Sequence, residues 1–297
     1  MSAPKPGAPR VTAIVPAYNR SHCIVQAVES VLAQTSPPSE ILVVDDASTD
    51  NLAEALAPFG ARVRLIRHET NRGPSAARNT GLEAATGDLV AFLDSDDLWH
   101  AEKQEKQLAF MARLGLVASC TGFETISSGV AREAWRPYGE TLSERDAAWG
   151  CYTSPGSTLV ARRDALMSCG GYDPDFARFE DWDLMLRLVS ANPGRVGFLN
   201  EALASIHLGS NVSRPEWHVG LDRMLAKHGH LLHARDPQLH RALLSGIAFN
   251  RAAVFAGQRQ WYGTGRELLR SFQIVPSGNW PFRVILGRRI RALLRNP

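Results

Sequence analysis

The sequence predicts an α/β protein, a doubly wound sheet flanked by helices and continued by a helical C-terminal extension. Three observations carry that prediction. Short apolar runs alternate with helical stretches over roughly the first hundred residues, the rhythm of a parallel sheet. Several of those runs break off abruptly into acidic residues, as in Gly87-Asp88-Leu89-Val90-Ala91-Phe92-Leu93-Asp94-Ser95-Asp96-Asp97. From Pro215 onward the pattern is nearly all helical, with few strand signals.

Taken in order, Val11 to Val15 reads as a buried strand stopped by Pro16. A helix is expected from Ser21, a plausible N-cap, to about Gln34, before Pro37 and Pro38. Ile41 to Val44 is a second apolar run that meets Asp45 and Asp46, and Asp50 opens a short helix. Arg62 to Arg67 alternates as a half-exposed strand does, Pro74 to Ala85 is an alanine-rich helix closed by Gly87, and Leu89 to Leu93 is the fourth strand. Beyond Asp97 the expectations are a helix over Ala101–Leu114, strands over Leu116–Ile126 and Ser157–Ala161, and a polar helix from about Phe179 to Val189. Short strands follow over Gly194–Asn200 and Leu203–His207. The domain plan is a loose tail over 1–10, a main domain over 11–213 and a helical extension over 214–297.

Composition bounds the partners. The chain has 297 residues, a net charge of +3 and ordinary apolar and charged fractions, so no nucleic-acid partner is implied. The four cysteines, Cys23, Cys120, Cys151 and Cys169, lack paired metal-ligand spacing and suit reduced thiols in a cytoplasmic protein. Met1 to Arg10 reads as neither signal peptide nor membrane anchor, and no segment approaches transmembrane length. Arg283 to Arg295 is basic, with Leu286, Ile290, Leu293 and Leu294 on one helical face. That pattern fits a helix packed on the core, or a peripheral contact with the inner face of an anionic membrane.

Three strand ends carry distinctive residues: Pro16-Ala17-Tyr18-Asn19, Asp45-Asp46-Ala47-Ser48 and Asp94-Ser95-Asp96-Asp97. In an open α/β sheet, ligands bind beyond the carboxyl ends of the strands, so these ends can converge on one crevice. A nucleotide diphosphate suits them. Tyr18 can stack on a base, and Asp46 can accept from a base N–H, which favours uridine. The later cluster can hold Mg²⁺ or Mn²⁺ on the diphosphate. Each residue also has a plainer reading. Tyr18 fits a surface aromatic, Asp45 a helix-start residue, Arg78 a solvated helix residue, and the Asp94–Asp97 cluster a solvated loop or N-cap. Glu180, Asp181 and Asp183 fit a charged helix start, Asp183 with Arg187 a surface pair, and His228, His230 and His233 a solvated helix.

The segments VTAIVPAYNR, ILVVDDASTD, NRGPSAARNTGLEAATGDLVAFLDSDD and GGYDPDFARFEDWDLMLRL resemble the inverting family 2 glycosyltransferases of GT-A fold, over roughly residues 10 to 213. The resemblance implies that Pro16, Ala17 and Tyr18 cradle the base, that Asp46 reads it, and that Arg78 lies near base and diphosphate. Asp94 and Asp96 match the first and last members of a DxD motif, the first touching ribose and the last binding the metal. Asp181 matches the catalytic base, with Glu180 and Trp182 as candidate sugar or acceptor-side residues. His207 matches a late histidine that assists the metal, although Ala204-Ser205-Ile206 precede it where many relatives carry Arg or Tyr. The implied activity is metal-dependent, inverting transfer from a nucleotide sugar, with a UDP-sugar favoured, to a saccharide or lipid-linked hydroxyl in surface polysaccharide or glycolipid synthesis. The competing readings are a sugar nucleotidyltransferase and a non-catalytic nucleotide-sugar-binding module. The turn after the first strand, Pro16-Ala17-Tyr18-Asn19-Arg20, lacks the Gly-rich phosphate loop expected of the former.

Overall fold

The computed structural model describes residues 9–127, 130–134, 139–151, 153–207 and 216–275. Most of the 1–10 tail and all of the Arg283–Arg295 segment lie outside the described residues. Four parallel strands, β1 (Val11–Ala17), β2 (Glu40–Asp45), β3 (Arg64–Arg67) and β4 (Leu89–Phe92), form one half of a mixed sheet. Helices α1 (Ile24–Leu32), α2 (Leu52–Leu56) and α3 (Pro74–Ala84) connect them. The second half holds β5 (Leu98–Trp99), β6 (Ala118–Ser127), β7 (Val130–Ala134), β8 (Val160–Arg162) and β9 (Val196–His207). The order across the sheet is β3-β2-β1-β4-β8-β6-β9-β5, with β7 paired to β6. Between these strands lie α4 (Lys103–Leu114), α5 (Glu144–Trp149), the short turn α6 (Pro155–Thr158), α7 (Arg163–Ser168) and α8 (Glu180–Ala191).

The central strands are mostly apolar because both faces of the sheet are covered. Side chains alternate between the faces. Ile14, Leu42, Val44, Val90 and Phe92 face one core, while Val11, Ala13, Val15, Ile41, Val43, Leu89 and Ala91 face the other. After the described residues resume, α9 (Glu216–Arg235), α10 (Pro237–Gly257) and α11 (Trp261–Ile274) follow. Leu221, Met224, Leu243 and Ile247 join the core that contains Phe92 and Leu184. A Cβ on Gly246 would stand 1.8 Å from the Trp149 carbonyl oxygen, so only glycine lets α10 approach α5 this closely. Among the described residues no helix is long and apolar enough to cross a membrane.

Several local expectations are corrected. β1 runs through Pro16, which is tolerated because β4 pairs with β1 only as far as Ile14. Ser21 is not the N-cap of α1: its N–H donates to Asp50 Oδ2 (2.8 Å), and Cys23 stands at the cap. Of Ser157–Ala161, the first residues belong to α6 and the strand begins at Val160. The two short strands expected over 194–207 are one, β9, whose pairing with β6 shifts register around Gly122. Asp183 and Arg187 are not a surface pair, since the Asp183 carboxylate has no exposed surface. It takes His228 Nε2 (2.7 Å), Arg187 Nε (2.9 Å) and Lys227 Nζ (2.7 Å). His228 is accordingly buried rather than solvated.

Candidate active site

Three strand ends open on the same side of the sheet, and their turns use backbone that side chains rarely adopt. Asn19 after β1 has φ 53° and Ala47 after β2 has φ 64°. Facing them, Ser154 and Phe179 have φ of 47° and 67°. Each such residue costs on the order of 1–3 kcal/mol, and such strain gathers where function fixes the chain. Beyond the strand ends lies a cleft of about 560 Å³ lined by Pro16, Ala17, Tyr18, Asp46, Arg78, Asp94, Asp96 and Glu180. The structure thus brings together eight of the residues singled out from the sequence. Arg20, Asn71, Gly73 and Arg178 also line it.

Asp46 is almost fully buried. Its Oδ2 accepts from the Gly73 N–H (2.7 Å), and its Oδ1 accepts from the Arg72 N–H (2.9 Å) and meets His68 Nδ1 (2.7 Å). His68 Nε2 in turn meets Thr80 Oγ1 (2.8 Å). A carboxylate has about four acceptor positions, so roughly one stays open toward the cleft. Asp45 is a turn residue rather than a helix start: its Oδ1 accepts from the Ser48 N–H (2.8 Å), and Arg67 pairs with its Oδ2 (3.0 Å).

Arg78 is a buried side chain of α3, not a solvated one. Its Nη2 donates to Asp94 Oδ1 (2.6 Å), its guanidinium lies 5.0 Å from the Tyr172 ring centre, and its Nη1 stands 3.7 Å from Glu180 Oε1. Among the described residues, Nε and Nη1 are buried without hydrogen-bond partners. Asp94 is fixed by Arg78 and by Ser157 Oγ, which accepts its N–H (3.0 Å). A Cβ on Gly156 would stand 2.5 Å from Asp94 Oδ2, so the close approach of α6 to this carboxylate requires glycine.

Asp96 is the open member of the cluster, 41% exposed and 3.5 Å from Arg20 Nη2. Asp97 is buried. It accepts from the Ser157 hydroxyl (2.5 Å) and from the His207 N–H (2.8 Å). Burial, then the charge of Asp94, pushes the Asp97 pKa up. His207 therefore presents its backbone to the acidic cluster, while its exposed ring is not part of the cleft lining. Among the described residues no three His, Cys, Asp or Glu side chains are grouped as a ready-made metal site. The exposed oxygens of Asp96 have the chemistry to hold a hard divalent ion, which would need further oxygen ligands from outside the described side chains.

A second cavity of about 370 Å³ adjoins the first through Arg178 and Glu180, and is lined also by Asp181, Trp182, Cys151, Phe123, Phe179 and Trp217. Among the described residues, Asp181 Oδ1 is buried without a hydrogen-bond partner. Burial, then the neighbouring Glu180, pushes the Asp181 pKa up, and burial does the same to Glu180. Trp182 is mostly core, with its Nε1 donating to the Ala147 carbonyl (2.7 Å). Burial raises the Cys151 thiol as well, keeping it protonated beside Asp181. Trp217 and Cys151 were missed in the sequence, where nothing near them repeats or matches a motif. Arg178 and Phe179 were missed although they directly precede Glu180-Asp181.

Residues 12–170 match the family model described as Glycosyl transferase family 2. The putative teichuronic acid biosynthesis glycosyltransferase TuaG of Bacillus subtilis is 33% identical over 70% of this chain and 83% of its own length. The UDP-Glc:alpha-D-GlcNAc-diphosphoundecaprenol beta-1,3-glucosyltransferase WfgD of Escherichia coli is 40% identical over 61% of this chain and 70% of its own. Uncharacterized glycosyltransferases of Rickettsia felis and Rickettsia conorii, 43% and 42% identical, are much longer, and the match spans 20% of each. In fold, the chain resembles S. aureus TarS 1-349 in complex with UDP-GlcNAc, with a TM-score of 0.69 and 21% identity over 90% of this chain and 82% of that one.

Proposed function

The chain belongs to glycosyl transferase family 2, and from that premise we propose that it moves a sugar from a UDP-sugar to a hydroxyl acceptor with inversion at the anomeric carbon. The observation that carries this reading is the buried Arg78. Its Nε and Nη1 lack hydrogen-bond partners among the described residues, beside Asp94 in a cleft that also holds Tyr18, Asp46 and Asp96. Leaving such donors bare costs about 1–3 kcal/mol, and more for a charged group, unless a ligand supplies the acceptors. A diphosphate does.

In this reading Tyr18 stacks on the base and Asp46 accepts the ring N–H through its one open position. Asp94 meets the ribose, and Arg78 meets the diphosphate. A bound Mg²⁺ or Mn²⁺ would be held by Asp96 with the diphosphate oxygens and would stabilise charge on the leaving group. Asp181 takes the proton from the acceptor hydroxyl as that oxygen attacks the anomeric carbon from the face opposite the diphosphate. Its unpartnered Oδ1 and raised pKa suit a base that must hold a proton near neutral pH. Glu180 and Trp182 border the acceptor space, and no covalent enzyme intermediate is needed. The names of TuaG and WfgD favour a saccharide or a lipid-linked diphosphosugar as acceptor, and polysaccharide assembly as the setting.

The test is a screen of nucleotide sugars for slow hydrolysis without acceptor, run with and without Mn²⁺. Release of UDP from one sugar, dependent on Mn²⁺ and lost in Asp96→Ala, is expected. Pyrophosphate release from a nucleoside triphosphate, with no hydrolysis of any nucleotide sugar, would contradict the reading.

A further inference from the structure

The second cavity contains a polar atom that the reaction above does not use. Trp217 lies in the first turn of α9, far along the chain from the strand-end motifs, yet it lines the same cavity as Asp181. Its Nε1–H is buried without a hydrogen-bond partner among the described residues. Its neighbour in the cavity, Trp182, has the ordinary arrangement, with Nε1 bonded to the Ala147 carbonyl. The Phe179 ring stands between them, 5.4 Å from Trp217 at 86° and 5.9 Å from Trp182 at 69°. The backbone of α9 is pressed against this turn, since a Cβ on Gly220 would stand 2.8 Å from the Arg178 carbonyl oxygen and from Phe179 Cδ2. The aromatic wall is therefore held rigidly beside the Glu180-Asp181 turn.

A buried indole N–H pays its desolvation cost without return unless a ligand oxygen meets it. The Arg178 guanidinium carbon already stands over the Trp217 ring, 5.6 Å from its centre, so what this wall lacks is an acceptor for the N–H, and the hydroxyl oxygens of a pyranose supply one. We propose that Trp217, together with Phe179, is the platform that receives the acceptor sugar, with the Trp217 N–H donating to one of its hydroxyls. This role rests on the glycosyltransferase reading and assigns part of acceptor specificity to the helical region after residue 215. Trp217 holds the sugar while Asp181, on the same cavity, takes the proton from the attacking hydroxyl.

The experiment uses the full chain with ¹⁵N-labelled tryptophan. The Trp217 indole resonance is identified by its loss in Trp217→Phe. UDP is added first, then methyl glycosides of glucose, galactose, mannose and N-acetylglucosamine. At least one glycoside is expected to shift the Trp217 resonance and leave that of Trp149, bonded to Ser245 Oγ, in place. With that glycoside as acceptor, Trp217→Phe keeps a ring and loses the donor. It should raise the acceptor KM about tenfold while UDP affinity, read by calorimetry, stays the same. If UDP binds but no glycoside moves the Trp217 resonance, the platform is wrong and the donor reading stands. If UDP fails to bind at all, the underlying reading fails with it. A fall of kcat with acceptor KM unchanged in Trp217→Phe would overturn the assignment too, since it would mark a merely structural tryptophan.

Discussion

Asp46 and Asp181 are both acidic, both line the joined cavities, and are held in opposite ways. Asp46 sits on the wall built by β2 and α3, where the Gly73 and Arg72 N–H groups and His68 occupy most of its acceptor positions. Asp181 sits on the wall built by α8 and α9, where its Oδ1 and the Trp217 Nε1 are buried with no hydrogen-bond partner among the described residues. The first wall is preorganised by its own backbone. The second keeps polar groups bare, which costs stability and leaves them ready for a ligand or a proton. Where the walls meet, Arg78 has both characters: Nη2 is tied to Asp94, while Nε and Nη1 have no hydrogen-bond partner among the described residues.

Substitutions on each wall should therefore separate catalysis from stability. The largest effect is expected for Asp181→Asn, which should lower transfer by about 10²–10⁴-fold while UDP affinity, measured by calorimetry, stays the same. Full transfer by this variant would remove the base assignment. Asp183→Asn, two residues further along α8, should act the other way. It leaves His228, Arg187 and Lys227 without their shared buried carboxylate and should cost about 3–5 kcal/mol in urea denaturation at neutral pH. Burial opposes ionisation of Asp183, but bonds from His228, Arg187 and Lys227 outweigh it and hold its pKa below the usual range. Its contribution is thus complete above the ordinary aspartate pKa and is lost only as pH falls through the depressed value. An Asp183→Asn protein as stable as the parent would show the network to be idle.

A smaller loss is expected for Gly156→Ala, whose new Cβ meets Asp94 Oδ2 and Arg78 Nη2. We expect about 1–3 kcal/mol of destabilisation together with weaker UDP binding, because the clash falls on the junction of the two walls. Unchanged UDP affinity would mean that Asp94 can shift without consequence. The mildest signature is in pH. The Asp181 pKa is raised, so the acid limb of kcat/KM should lie above the normal aspartate range and vanish in Asp181→Asn. In the folded state Asp181 keeps its proton to higher pH than in the unfolded chain. Stability should therefore fall slightly as pH rises through the raised value, and Asp181→Asn should abolish that slope in thermal melts.

The first wall was largely legible in the sequence and the second only in part. Apolar runs that break off into Asp45-Asp46 and Asp94–Asp97 mark strand ends, and strand ends of an open sheet are where ligands gather. Periodicity says nothing, however, about which carboxylate of a cluster is free. Asp96 is open, whereas Asp97 is consumed by Ser157 and the His207 backbone, partners that lie 60 and 110 residues away. The same limit hid the burial of Asp183. Spacing shows Arg187 one turn on, but Lys227 and His228 arrive from a helix with no sequence signal linking it to α8. β9 read as two strands because polar Asn200 and Glu201 interrupt its apolar pattern where its register with β6 slips. Trp217 is recognisable only once α9 is folded against Phe179.

Calorimetric titration of the wild-type protein with UDP and with uridine, in the presence of Mn²⁺, tests the central claim most directly. If the bare donors of Arg78 and the open oxygens of Asp96 serve a diphosphate, UDP should bind at least tenfold more tightly than uridine, a difference of about 1.4 kcal/mol. That margin should shrink sharply in Arg78→Gln. Equal affinity for the two, or no binding of UDP, would contradict the account.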